Sequence, residues 1–178
     1  MLFSRHDMET LKIDNVTVYL CAIPGGDGSR RERERMAVNS LVEQVFPGCK
    51  LGHKSSGAPF IDIPGVYVSV SHSRNYAALA VSEHTVGIDI EEPRAQQLER
   101  VVTRFMSDAD LKACPNLLDA WTAKEAVFKA AGVDDAMLAD ISFETATLAT
   151  LATLGTCRFA IRHHHRPPLT IAIARSLL

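Results

Sequence analysis

The order of elements predicted from the sequence puts the chain in the α+β class: strand, helix and strands, then strand, helices and strands again. Three observations carry this. "VTVYLCAI", Val16 to Ile23, is a β-branched apolar run closed by the turn "PGGDG". Ser29 and Glu32 have the spacing of a capping box, and Ala37, Leu41 and Val45 then recur every fourth residue until Pro47-Gly48 ends the helix. "VYVSVSH", "YAALAVS" and "TVGIDIE" follow as short strands, the first two forming a hairpin through "SRN". The two series meet near Glu83 to Gly87, dividing the chain into halves at 1–85 and 86–178. Two similar α/β halves, with antiparallel sheets and packed helices, are the expected architecture.

The other elements follow in order. "LGHKSSGAPFIDIP", Leu51 to Pro64, is rich in Gly, Ser and Pro and reads as a candidate ligand loop with a short edge strand at "PFIDI". Gln96 to Met106 and Leu117 to Ala131 carry helical signals, punctuated by Pro93, Pro115 and Gly132. "DISFETATLATL", "TCRFAIRHHH" and "PLTIAIARS" read as strands of a closing antiparallel sheet, although "TATLATLATL" fits a helix equally well by period.

Composition sets limits on function. With 178 residues, 47% of them hydrophobic, the chain has apolar material for one domain or two tightly joined halves. A net charge of −2 argues against a broad basic surface for nucleic acid, so any anion site is local. Cys21, Cys49, Cys114 and Cys157 have no zinc-type spacing and read as reduced packing thiols. "MLFSRHDMETLKIDN" lacks the apolar core of a signal peptide and "VTVYLCAI" is too short to span a bilayer, so a cytoplasmic location is expected.

The chemistry concentrates in two stretches. In "VGIDIEEPR" alternate side chains share a face, so Asp89 and Glu91 point one way while Ile88 and Ile90 point into packing. Two carboxylates on one face repel unless a positive charge stands between them, and a divalent cation with a phosphate substrate would supply it. Taken alone, the pair is as compatible with solvated acids at a strand end. In "LLDAWTAKEAVFKAAG" Trp121, Glu125 and Lys129 fall on one helical stripe, which alone is as ordinary as any surface Glu–Lys pair. The surrounding alanines, Val127 and Phe128 make much of that helix buried, and charges on a buried helix point to function.

Taken together, "VGIDIE" and "WTAKEAVFKA" resemble the paired signature of the phosphopantetheinyl transferases, and "VSVSHS", Val68 to Ser73, resembles the turn that precedes it in the surfactin-type branch. The three ordered motifs span roughly residues 57 to 130. The resemblance implies a pseudo-dimeric fold active as a monomer. It implies transfer of the phosphopantetheine arm of coenzyme A to a serine of an apo acyl or peptidyl carrier protein, releasing adenosine 3',5'-bisphosphate.

Carried over by position, Asp89, Glu91 and Glu125 would hold Mg2+ against the pyrophosphate, and Glu125 would also be the base, directly or through water. Lys129 would steady the leaving oxygen, and Lys124 would contact phosphate in preference to a structural ion pair. Ser71 and His72 would make phosphate contacts, Arg35 in "SRRERERM" would grip the 3'-phosphate, and Asp110 in "RFMSDADL" would play a supporting part. Glu92 would be solvated. The chain departs from the pattern at Gly57-Ala58-Pro59, where a lysine is frequent, leaving His53 or Lys54 as replacements.

Three rivals remain. The run His163 to His165 could form a metal site, but strand alternation lets only His163 and His165 share an ion, and an exposed cluster near a strand end is the better reading. A non-catalytic coenzyme A or carrier-binding module would use the same pocket, although retention of Asp89, Glu125 and Lys129 speaks against it. An unrelated magnesium-dependent nucleotide enzyme would be expected to show a G-x-x-x-x-G-K-[ST] loop, which this sequence lacks.

Overall fold

A tight turn at Asp14 and Asn15, with Asp14 at positive φ, joins β1 (Met8–Ile13) to β2 (Val16–Ala22) as an antiparallel hairpin. The structure is a computed structural model and describes residues 8–144 and 150–177. Strand β1 escapes the sequence pattern because Glu9, Thr10 and Lys12 break its alternation and it lies at the sheet edge, only partly buried.

Helix α1 (Arg30–Val45) begins with the expected capping box, Ser29 accepting from the Glu32 amide while Glu32 accepts from the Ser29 amide. It buries Ala37, Val38, Leu41 and Val42. The ligand loop contributes only the two-residue strands β3 (Gly52–His53) and β4 (Pro59–Phe60), which pair with each other. Strands β5 (Tyr67–His72) and β6 (Tyr76–Ser82) form the expected hairpin, and the first sheet runs β1-β2-β6-β5.

The second sheet runs β7-β11-β10-β9-β8, with β7 (Val86–Glu91) at its edge, and contains β8 (Ile141–Phe143), β9 (Leu151–Leu154), β10 (Cys157–Arg166) and β11 (Leu169–Ser176). The helical alternative for "TATLATLATL" fails at Leu151–Leu154, which pairs with β8 and β10; its first five residues lie outside the described residues. The stretch expected as one helix over Gln96–Met106 is α2 (Ala95–Glu99) followed by a single 3-10 turn, Val102–Arg104. Two further helices complete the fold, α3 (Asp108–Ala113) and α4 (Leu117–Ala131). The α+β class with antiparallel sheets is as the sequence predicts.

Side-chain alternation on the strands builds four layers, α1, first sheet, second sheet and α4. On β6, Ala77 and Leu79 face α1 while Ala78 and Ala80 face the other sheet. On β11, Ile171 and Ile173 fill the space between sheets while Ala172 and Ala174 lie under α4. Small residues toward the helix let it approach closely, and bulky ones toward the sheet fill that gap.

That approach is closest at Gly87 on β7. A Cβ there would stand 1.9 Å from the Ala126 carbonyl oxygen and 2.5 Å from the Ala130 amide nitrogen. Gly87→Ala is therefore expected to lower stability by about 3 kcal/mol by forcing α4 off the sheet; a denaturation midpoint close to wild type would contradict this packing.

Candidate active site

Alternation along β7 sorts its side chains as the sequence predicts. Val86, Ile88 and Ile90 enter the core between the sheets, and Gly87 lies under α4 with Asp89 and Glu91 following it on that side. Asp89 is buried at 6% exposure. Its Oδ1 accepts from Lys129 Nζ at 2.7 Å and from Ser71 Oγ at 2.8 Å, whereas its Oδ2 is buried and accepts nothing among the described residues.

Every second residue of "SVSHS" clamps this strand. Ser69 Oγ accepts from the Ile88 amide at 3.1 Å, and Ser71 Oγ accepts from the Ile90 amide at 3.2 Å while donating to Asp89. Ser73 Oγ donates to Glu92, which also accepts from the amide and side chain of Asn75. Serine hydroxyls thus satisfy amides on the open edge of β7 and tie it to β5 of the other sheet. Glu92 is therefore not the solvated acid expected from the sequence. Burial opposes its charge, but the hydrogen bonds from Asn75 and Ser73 win and hold its carboxyl below the usual range. The two-residue alternation of serines was a readable signal for this clamp.

Helix α4 is capped by Asn116, which accepts from the Leu118 and Asp119 amides, and ends at left-handed Gly132. It brings Trp121, Glu125 and Lys129 to the acids of β7. Lys129 Nζ reaches Ser71 Oγ, the Ile88 carbonyl and Asp89, so it bridges α4, β5 and β7. Burial first, then the charge of Asp89, push the Glu91 carboxyl up to about 7 against the pull of Arg94, the Trp121 indole and Lys129. The same two causes raise Glu125 against Lys129 and Arg94. Glu91 and Glu125 each feel the charge of Asp89 here, and two basic side chains only partly offset it.

Lys124 requires a correction. It is 0% exposed, and its ammonium donates to the carbonyls of Phe105 and Ile141, both at 2.6 Å, and to Asp110 Oδ2 at 2.8 Å. Three donors meet three acceptors, leaving none for a phosphate. Burial lowers its pKa, with Asp110 working in the opposite direction. Asp110 closes this knot by also accepting from the Phe143 amide and by capping α3 with Ser107.

At the Ser-His-Ser turn, His72 is exposed, with Nδ1 3.5 Å from Glu34 Oε1. Glu34 is held by Arg30, which also donates to the Ser73 carbonyl, so α1 reaches the turn through Arg30 and Glu34. Arg35 is exposed on α1. Glu34 and Arg30 lie in the charge-alternating run "SRRERERM", where sequence alone does not separate them from their neighbours.

A cleft of about 690 Å³ opens beside Lys129 and Ser69, lined further by Lys54, Ala58, Tyr67, Phe128 and Val133. Lys54 faces Ala58 across the small hairpin, its amide donating to the Ala58 carbonyl. His53 is exposed on β3. Away from this region, His165 Nε2 lies 2.8 Å from Asp119 Oδ1, and burial lowers the pKa of His163. His163 and His164 are partly buried, and only His165 of the three is exposed.

Among the described residues no group of three or more His, Cys, Asp or Glu side chains is arranged to hold a metal ion. The donor chemistry around β7 nevertheless suits a hard cation: oxygen ligands only, one of them the unpartnered Asp89 Oδ2, with two carboxyls raised first by burial and then by the charge of Asp89. Lys129 and Arg94 stand where the neutralising charge is needed.

Sheets clamped by serine hydroxyls, with acids on an edge strand facing Glu125 and Lys129 of one helix, define an α+β protein with an acidic centre partly offset by two basic side chains. The family model of the 4'-phosphopantetheinyl transferase superfamily matches residues 85–173, and the chain belongs to that family. It is 31% identical over 86 residues to the 4'-phosphopantetheinyl transferase gsp of Aneurinibacillus migulanus, an alignment covering 43% of this chain and 35% of that one. The match thus spans about a third of the length of that curated relative. No helix among the described residues is long and apolar enough to cross a membrane.

Proposed function

We propose that the chain transfers the 4'-phosphopantetheine arm of coenzyme A to a serine of an apo acyl or peptidyl carrier protein, with Mg2+, releasing adenosine 3',5'-bisphosphate. Family membership supports the reaction class. The single observation that carries the reading is the convergence of Asp89, Glu91, Glu125 and Lys129 at the edge of β7, beside a cleft of about 690 Å³ that Lys129 lines.

In the transfer, the carrier serine oxygen attacks the β-phosphorus, forming the new O–P bond. The bond from that phosphorus to the bridging oxygen breaks, and this oxygen leaves with the adenosine bisphosphate. Glu125 takes the serine proton, directly or through water, for which its raised pKa suits it. Lys129 faces the departing oxygen, while Ser71 keeps Asp89 in place. Asp89, Glu91 and Glu125 would hold magnesium, whose charge offsets that of the pyrophosphate. His72 and Arg35 are the proposed contacts for the remaining phosphate, and Lys54 takes the part of the lysine missing at Ala58.

The halves 1–85 and 86–178 form a pseudo-dimer with coenzyme A between them, acting as a monomer in the cytoplasm. Mass measurement of apo carrier proteins incubated with the protein, coenzyme A and magnesium tests the function. A phosphopantetheine-sized gain, lost in Asp89→Ala, is expected. No gain on any carrier, with coenzyme A still bound, would favour a non-catalytic binding module instead.

A further inference from the structure

Arg94 holds Glu91 from a position where a cation is otherwise poorly placed. It opens the short helix α2 directly after Pro93, and its side chain makes no cap. A positive charge at that end of a helix opposes the peptide dipoles, where Ser, Asp or Asn would be favoured. The guanidinium is instead paired with Glu91 Oε1 and lies over the Trp121 ring, 4.7 Å from its centroid. Trp121 in turn packs edge-on against Phe105, with ring centroids 5.1 Å apart. Pairing in this way leaves Arg94 Nε buried without an acceptor among the described residues, an uncompensated donor. Arg94 also lines a second cleft, of about 330 Å³, whose wall includes Glu99 and Asn116.

We propose that Arg94 is a displaceable counter-ion of Glu91: it neutralises and orients that carboxylate before a divalent cation binds, then yields by leaving Trp121 for the cleft lined by Glu99. This rests on the reading of Asp89, Glu91 and Glu125 as the groups that hold the cation. Two positive charges cannot share one largely buried carboxylate without repelling, so cation entry must compete with the arginine. The cleft gives the displaced side chain both room and an acid to face.

Trp121 is the chain's one tryptophan, and it meets both the guanidinium and Glu91, so its emission reports on that pair. The test titrates magnesium alone into the full chain, following tryptophan emission and heat. In the wild type, emission changes saturably with magnesium. In Arg94→Gln the starting emission is already altered, the change on adding magnesium is smaller, and the magnesium dissociation constant falls about fivefold, the scale of one partly exposed ion pair. Arg94→Lys keeps the charge while losing the flat stack, and its affinity is expected between the two.

Equal magnesium affinity and an equal emission change in wild type and Arg94→Gln would overturn the role of Arg94 and leave the cation site standing. Should Arg94→Gln fail to fold, wild-type affinity and emission response in Arg94→Lys would overturn that role in the same way. Absence of any heat or emission change in all three proteins would overturn the cation site, and the proposal with it.

Discussion

Glu125→Gln is expected to lower phosphopantetheine transfer by about 10²- to 10⁴-fold, the usual scale for losing a positioned general base. The amide keeps the volume of the carboxyl on the third turn of α4, and Glu125 is only partly buried, so the fold should survive. What is lost is the proposed base together with a carboxyl that feels Asp89. Rates of carrier loading beside thermal melting of both proteins check this. A loss below tenfold in a folded variant would remove Glu125 from the chemistry and leave it a bystander.

Lys124→Met is expected to act on stability alone, costing about 3 to 5 kcal/mol, because it strips a buried carboxylate of its buried partner. For a chain of this size that corresponds to a fall in Tm of roughly 10 °C. The folded variant should bind coenzyme A as the wild type does, since the ammonium faces Phe105, Ile141 and Asp110 rather than the cleft. Weakened coenzyme A binding at unchanged Tm would restore the phosphate role.

The same knot sets an acid limb. Burial pushes the Asp110 carboxyl up, but the bonds from Lys124, Phe143 and Ser107 outweigh this and hold it below its ordinary value. Its stabilisation is therefore full above the unfolded carboxyl pKa, about 4, and is lost as pH falls through the lower folded value. Lys124→Met should flatten that limb in pH-dependent melting.

Residues that obey a local period were legible in the sequence. The capping box of α1, the β5–β6 hairpin, the alternation of β7 and the stripe on α4 each follow from spacing alone. Strand β1 was hidden by polar residues that an edge position tolerates, and the Gln96–Met106 stretch lacked a cap strong enough to make one helix. Within the site, Asp89, Glu125 and Lys129 are brought together as expected. Lys124 and Glu92 were misread because their partners lie far away along the chain: Asp110 at 14 residues for one, Ser73 at 19 for the other. Arg94 was missed because its worth depends on Trp121, which only the packing of α2 on α4 brings near.

Calorimetric titration of coenzyme A, with and without magnesium, tests most directly whether the acids of β7 and α4 read a pyrophosphate. Coenzyme A is expected to bind at least about tenfold more tightly with magnesium, while adenosine 3',5'-bisphosphate, which lacks the pyrophosphate, gains far less. An equal magnesium effect on both ligands, or none on coenzyme A, would contradict the assignment of Asp89, Glu91 and Glu125.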